Sequence, residues 1–243
     1  TEANPWNDSW WYLQAKTLMT LGRYEHAYET ITEGLTRRTY SLSLRLLAIE
    51  AARFNNQPEE AANHLATLNS YFSMWARRVR SPDALVELGE VALALGVEAR
   101  IVLENFFKRA KESEDAPVEA FLASGNLALE KNDFKLASQN FQAGLEKFPE
   151  DPDLWYGLAA SFLNGDRSQL MEFARTALKI NENHIPSILL MAEHFIDAEA
   201  HDDALVALEQ ALSINPIHPD ALALSAVIAY LKNDTLTAEF YRK

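Results

Sequence analysis

The sequence predicts an all-α solenoid, a stack of helix pairs with no single central core, and three observations predict it. The stretch Asp153–Pro219 says nearly the same thing twice, about 33 residues apart: Trp155, Leu158, Ala159 and Phe162 return as Ile188, Met191, Ala192 and Phe195, and ARTALKIN returns as EQALSINP. Self-similarity at such a period marks stacked supersecondary units, each unable to bury its apolar face alone. Composition favours helix throughout, with only 8 Gly, few β-branched runs and 48% hydrophobic residues to bury. No Pro/Gly/Ser-rich linker divides the 243 residues, so one body over 1–243 is expected rather than two globules.

Each copy carries a bulky anchor, small and apolar residues at +3, +4 and +7, a turn, and a second apolar-striped helix. Seven copies follow: about 8–41, 42–80, 82–117, 118–151, 152–184, 185–218 and, incomplete, 219–243. The first has Trp11, Ala15 and Leu18 on one helix, Gly22 and Tyr24 at the turn, and Ala27, Ile31 and Gly34 on the next, with Asp8 or Ser9 as N-cap. In the second, Arg45 stands where the bulky anchor belongs, Asn55-Asn56-Gln57-Pro58 make the turn, and Ala61, Leu65 and Leu68 follow. The next anchor, Leu85, arrives 40 residues later instead of 34, so this second helix extends through Tyr71, Phe72, Met74 and Trp75, four large side chains expected to seal a widened gap.

The third copy is clear at Leu85, Leu88, Gly89 and Ala92, but its turn reads two residues long because Leu103, Phe107 and Ala110 come late. The fourth is regular: Phe121, Gly125, Ala128, Asn132-Asp133-Phe134, Ala137, Phe141 and Gly144. The fifth and sixth are the opening pair, the fifth one residue short in its turn. The seventh has Leu222, Ala226 and Ala229, passes Asn233-Asp234 and stops at Lys243. Only Ala or Gly fits where two helices cross closely, which accounts for Ala15, Gly89, Gly125, Ala159, Ala192 and Ala226 on first helices. Ala27, Ala61, Ala137, Ala204 and Ala238 answer them on second helices, while Leu103 and Leu170 break the series.

Charge and cysteine usage exclude several functions. Without Cys there is no disulfide framework, thiolate metal site or Cys nucleophile. A net charge of −13 and a pI near 4.9 argue against a nucleic-acid surface, which needs clustered Lys and Arg. Residues 1–111 carry 13 basic and 13 acidic side chains and residues 112–243 carry 9 and 22, so any electrostatic preference for a basic partner belongs to the second half. The longest apolar run, Ala221–Leu231, is interrupted by Ser225 and falls short of the roughly 20 residues of a membrane span. No Met begins the chain and no charged-then-apolar leader is present, the pattern of a processed or excised piece. A soluble protein is expected, cytoplasmic in preference to periplasmic or exported.

Catalytic signals are few. There is no Gly-x-Gly-x-x-Gly, phosphate loop, Gly-x-Ser-x-Gly or His-Glu-x-x-His. His194, Asp197 and His201 come nearest to a metal constellation, but packing is the favoured reading and no metal or cofactor is expected. His184 and His218 read as loop residues at equivalent repeat junctions, and His26 and His64 as surface residues of second helices. Carboxylate pairs such as Glu59-Glu60 and Asp202-Asp203 sit near helix starts, where they favour the dipole; Arg37-Arg38, Arg77-Arg78-Arg80 and Lys108-Arg109-Lys111 sit at helix ends by the same logic.

With its Leu-Gly or Leu-Ala after the anchor, an Ala five residues past the turn residue, and a closing Ala-Leu-x-x-x-Pro, as in Trp155…Leu158-Ala159, Ala204 and Ala211-Leu212…Pro216, the chain resembles the tetratricopeptide repeat family. The resemblance implies antiparallel helix pairs stacked into a right-handed superhelix, with binding on a concave face lined by first helices. Helical spacing puts the positions one and five residues past each anchor on one face. They give Tyr12, Leu46, Val86, Leu122, Tyr156, Leu189 and Ala223, an apolar stripe with two Tyr, and Lys16, Glu50, Glu90, Asn126, Ala160, Glu193 and Val227, which is mostly acidic.

The family's chaperone-tail binders hold a carboxylate with Lys, Asn and Arg on this face; here only Lys16 and Asn126 are similar, in distant repeats. Its sugar-transferring members carry a ladder of Asn two residues past the anchor, where this chain has Leu13, Leu47, Glu87, Ala123, Gly157, Leu190 and Leu224. The expectation is a protein-interaction scaffold without catalysis of its own, binding a protein or peptide that is basic with apolar anchors. The alternative is an accessory region of a larger enzyme or secretion or assembly machine. The helix DALALSAVIAYL is apolar nearly all round, a pattern normally covered on every side, so further repeats or self-association are expected at that end.

Overall fold

The computed structural model describes residues 8–76 and 78–232, with side chains from 10 onward. The second helix of the seventh copy, Asn233-Asp234 and Ala238 lie outside the described residues. All regular structure among these residues is helical: α1 (Asp8–Thr20), α2 (Tyr24–Arg37), α3 (Leu42–Phe54), α4 (Pro58–Trp75), α5 (Pro82–Ala94), α6 (Ala99–Val102), a π-helical turn (Leu103–Phe107), α7 (Lys108–Lys111), α8 (Val118–Glu130), α9 (Phe134–Leu145), α10 (Pro152–Ala160), α11 (Arg167–Ile180), α12 (Ile185–Asp197), α13 (His201–Ile214) and α14 (Pro219–Leu231). The chain divides into two compact units, Thr1–Ala123 and Ser124–Lys243. In each, a helix packs on the one that follows it and on the next but one, as α1 does on α2 and α3, and α12 on α13 and α14.

Local chemistry explains the pairs. Five connections turn on a residue at positive φ: Gly22 (71°), Asn56 (54°), Gly96 (83°), Asn132 (58°) and Glu199 (58°). At each the backbone closes the same way; Gly22 N–H donates to the Met19 carbonyl and Arg23 N–H to the Leu18 carbonyl, and Asn132 and Asp133 repeat this with Leu129 and Ala128. This is the left-handed helix ending that Gly and Asn adopt at least cost. Helix starts are capped in turn, Ser41 accepting from Leu44 N–H, Asp133 from Leu136 N–H and Asp151 from Leu154 N–H.

Three departures from regularity take shapes other than those expected. The two late residues of the third copy divide: the connection 95–98 is one residue longer than its counterparts, and the π-helical turn Leu103–Phe107 absorbs another. As a result Val102, fully buried, takes the crossing position and Leu103 is only half-buried. In the fifth copy α10 stops at Ala160 and the connection 161–166 is long, because no positive-φ residue closes it. Of the four large side chains at the end of α4, Phe72 meets Phe106 at 6.1 Å between centroids and so closes toward the π-helical turn of the third copy, whereas Met74 is exposed and Tyr71 and Trp75 gather around Tyr40.

The small residues sit where expected: Ala15, Ala27, Ala137, Ala159, Ala192 and Ala204 have no exposed surface. Gly89 faces the ring of Phe107, and Gly125 and Gly157 both face one ring, that of Phe141; a Cβ at these three glycines would lie 2.3, 2.4 and 2.3 Å from the ring carbons. Ala226 departs from this series, being half-buried while Ser225 is buried. On α14, Ala221, Ile228 and Ala229 are buried but Val227, Tyr230 and Leu231 are exposed. No helix among the described residues is long and apolar enough to cross a membrane.

Candidate functional site

In the unit Thr1–Ala123 the first-helix face brings four of the predicted residues together: Tyr12 and Lys16 on α1, Glu50 on α3 and Glu90 on α5. Burial pushes the Tyr12 phenol up to about 12, reinforced by Glu90, Glu50, Glu119 and Glu87. Burial likewise pushes the Glu90 carboxyl up to about 7; Glu87 and Glu119 add to this and Lys16 opposes it. Glu50 is raised by burial against the pull of Lys16 and Arg53. Glu90 nonetheless reaches solvent, which places it on a recessed surface and discounts the strength of these repulsions. Physically, the face holds more carboxylate than its single lysine neutralises.

In the unit Ser124–Lys243 a second cluster repeats the arrangement. Burial raises Tyr156, followed by the charges of Glu193, Asp153 and Asp220; burial also raises Glu193, followed by Asp220 and Asp197. Each cluster therefore sets a half-buried tyrosine among carboxylates. Among the predicted positions, Lys16, Asn126 and Glu193 are exposed, Leu46 and Leu122 are half-buried, and Val86 and Leu189 keep only 3% and 8% of their surface, leaving little to offer a partner.

Glu119, Asp153 and Asp220 joined these clusters without being among the predicted residues. Each is the second residue of its helix and stands three residues before the position one past the anchor, so the same helical spacing puts it on the same face. That recurrence was the available signal. Glu87 joins the first cluster from a position read only for its lack of Asn.

Two histidines do more than the sequence suggests: His184 lies in its junction loop as expected but is buried there, and His64 is not a surface residue. His184 is buried ahead of α12; its Nε2 lies 2.9 Å from Asp153 Oδ1 and its Nδ1 2.8 Å from Ser187 Oγ, and its ring meets Tyr156 edge-on at 5.8 Å. A carboxylate only accepts, so Nε2–H donates to Asp153, and in the neutral ring Nδ1 accepts from the Ser187 hydroxyl. The order Asp-His-Ser resembles a hydrolytic relay, but Ser187 has no exposed surface to present to a substrate, and the chain of bonds serves to tie α10 to α12. His64 is half-buried, within 3.3 Å of both the Tyr28 hydroxyl and Arg45, and Arg45 also donates to the Thr39 carbonyl at 2.9 Å. Arg45 thus replaces the apolar anchor by a polar hub. Asp197 pairs with Arg167 at 2.8 Å, and no three His, Asp or Glu among the described residues are grouped to hold a metal ion.

A pH dependence follows from the first cluster. An acid whose pKa is raised on folding, from 4.5 to about 7 for Glu90, contributes stability below 4.5 that is lost as pH rises toward 7. Glu50 and Glu193 tilt the curve the same way. Glu90→Gln is expected to flatten the fall of the urea-unfolding midpoint across that window; an unchanged slope would refute the recessed placement of Glu90.

Residues 122–170, spanning α9 and α10 with the flanking parts of α8 and α11, match the tetratricopeptide repeat family model. Among solved structures the chain is similar to TTC0263, a thermophilic tetratricopeptide repeat protein of Thermus thermophilus, with a TM-score of 0.57 at 18% identity over 66% of this chain and 88% of that one. It is also similar to PilW, a widely conserved type IV pilus biogenesis factor, with a TM-score of 0.53 at 15% identity over 89% and 97% of the two chains. At such identities the likeness speaks of fold alone. No curated protein matches the sequence. With a family match over residues 122–170 and a similar fold over most of its length, the chain carries a tetratricopeptide repeat segment and has the fold of tetratricopeptide repeat proteins.

Proposed function

We propose that this protein is an interaction scaffold whose first-helix face takes a protein or peptide segment that is basic with apolar anchors, and that the chain does no chemistry of its own. The observation that carries the reading is the pair of clusters, Tyr12 with Glu50 and Glu90, and Tyr156 with Glu193. A lysine or arginine docking there relieves repulsion among recessed carboxylates, and a neighbouring aliphatic side chain covers the tyrosine ring. Exposed Lys and Arg of a partner find an acidic surface in a chain of net charge −13, so association should be fast and salt-sensitive.

The test uses labelled peptides in which Lys or Glu is interleaved with Leu, followed by fluorescence anisotropy. The Lys-Leu peptide should bind and the Glu-Leu peptide should not. Tyr156→Ala combined with Glu193→Lys should weaken binding at the second cluster by about tenfold or more. Undiminished binding by that double variant, with Glu50→Lys and Glu90→Lys added, would move the site off the first helices.

A further inference from the structure

The longest departure from the repeat, the lengthened second copy, builds a cavity of about 430 Å³ inside the unit Thr1–Ala123. That volume lies within the range of ligand-binding pockets. Its walls come from the end of α2 and the loop after it (Arg37, Arg38, Tyr40), from Trp75 at the end of α4, and from Val79 and α5 (Leu88). The rings of Tyr40, Tyr71 and Trp75 form a triad, with centroids 5.3, 5.7 and 5.4 Å apart.

The triad is held in place before any ligand arrives. The Thr39 carbonyl accepts from Arg45 Nη2 at 2.9 Å, from Arg45 Nε at 3.3 Å and from the Tyr71 hydroxyl at 3.4 Å, and the Arg45 guanidinium lies 5.5 Å from the centre of the Tyr71 ring. The loop so pinned presents Tyr40 with 61% of its surface open, an unusual exposure for an aromatic side chain already engaged by two other rings. Only a lengthened α4 supplies Trp75 and the segment that follows; a repeat of ordinary period would end before them.

Charge decides what fits. Arg37 and Arg38 contribute two guanidinium groups to the lining against one carboxylate, that of Glu87, and Arg78 and Arg80 flank Val79 in sequence. One basic run thus lines the cavity, and Arg78 and Arg80 of a second lie next in sequence to its Val79 wall, in a protein of net charge −13. Arg37 is held only loosely by Glu33, at 3.9 Å with both side chains largely exposed. A cationic ligand would meet these groups and the guanidinium already over Tyr71, whereas a carboxylate beside an aromatic ring is matched on both counts.

We propose that this cavity is a second recognition site, adjoining the first-helix face at Glu87, which takes an aromatic side chain of a partner's peptide segment whose neighbouring residues are Asp or Glu. The ring stacks against Tyr40 and Trp75, and the flanking carboxylates pair with Arg37 and Arg38. The scaffold then holds segments of opposite charge on adjoining surfaces, with the acidic segment where the first three helix pairs meet.

Fluorescence anisotropy of the whole chain with a labelled peptide of roughly ten residues, Asp- and Glu-rich around a single Phe, tests this. Saturable binding is expected, weakened about tenfold or more by Phe→Ser in the peptide and by Tyr40→Ala or Arg37→Glu in the protein, and retained by Tyr40→Phe. Tyr40 and Arg37 are exposed enough that both variants should keep the wild-type thermal unfolding, which checks that lost binding is not lost fold. The proposal is overturned by absent binding at millimolar peptide, by binding indifferent to both substitutions, or by Tyr40-dependent preference for a Lys-rich peptide or for oligothymidylate.

Discussion

Truncating Phe141 to Ala is expected to cost about 3–5 kcal/mol of stability, read as a lower midpoint in urea or thermal unfolding. The side chain has no exposed surface, and its ring lies against two glycines on different helices, Gly125 on α8 and Gly157 on α10. Glycine has no side chain to swing into the space the ring leaves, so the cavity should persist rather than collapse. The converse substitution should fail for the complementary reason: a Cβ at Gly157 would lie 2.3 Å from the ring, and Gly157→Ala should cost about 1–3 kcal/mol by overpacking. Since each change is felt through the same ring, Gly157→Ala with Phe141→Leu should cost less than the two separately. A loss below about 1 kcal/mol for Phe141→Ala would show that the helices close over the gap after all.

Replacing His184 by Ala should cost about 1–3 kcal/mol, the penalty of leaving a buried hydroxyl without its partner. Ser187 is fully buried and its Oγ bonds His184 Nδ1, while His184 Nε2 bonds Asp153 across to α10. The Asp153 side chain is half-exposed and recovers its hydrogen bond from water; Ser187 is sealed in. Adding Ser187→Ala to His184→Ala should therefore cost little more, and the double variant should lose less than the two single losses summed. If the two losses simply add, the bond between the imidazole nitrogen and the hydroxyl contributes nothing.

The helix pairs were legible because their causes are local. The positive-φ turns at Gly22, Asn56 and Asn132, the caps at Asp133 and Asp151, and the Ala series at the crossings each follow from residues within one repeat, and seven near-copies reinforce the pattern. Irregular copies were legible as irregular, yet their form was not. Two extra residues can be absorbed by a longer turn, by a π-helical turn, or by one of each, and nothing within the third copy chooses; the division that occurs puts Val102 rather than Leu103 at the crossing because Phe106 and Phe107 must both reach the core.

On the first-helix face, Tyr12, Glu50, Glu90, Tyr156 and Glu193 were readable from helical spacing alone, since a 3.6-residue period assigns faces without knowing the neighbours. That Val86 and Leu189 on the same stripe are buried was not readable, because burial depends on how closely the adjacent helix approaches. Period, helix direction and the chemistry of each face are thus properties of the sequence by itself. Which charges meet, how the chain of bonds from Asp153 through His184 to Ser187 closes, and how Tyr40, Tyr71 and Trp75 come to gather at a cavity beside Arg37 and Arg38 are decided only in three dimensions. The side chains that meet there come from separate helices, and a small difference in the spacing of two helices makes or breaks each contact without any mark in the local sequence.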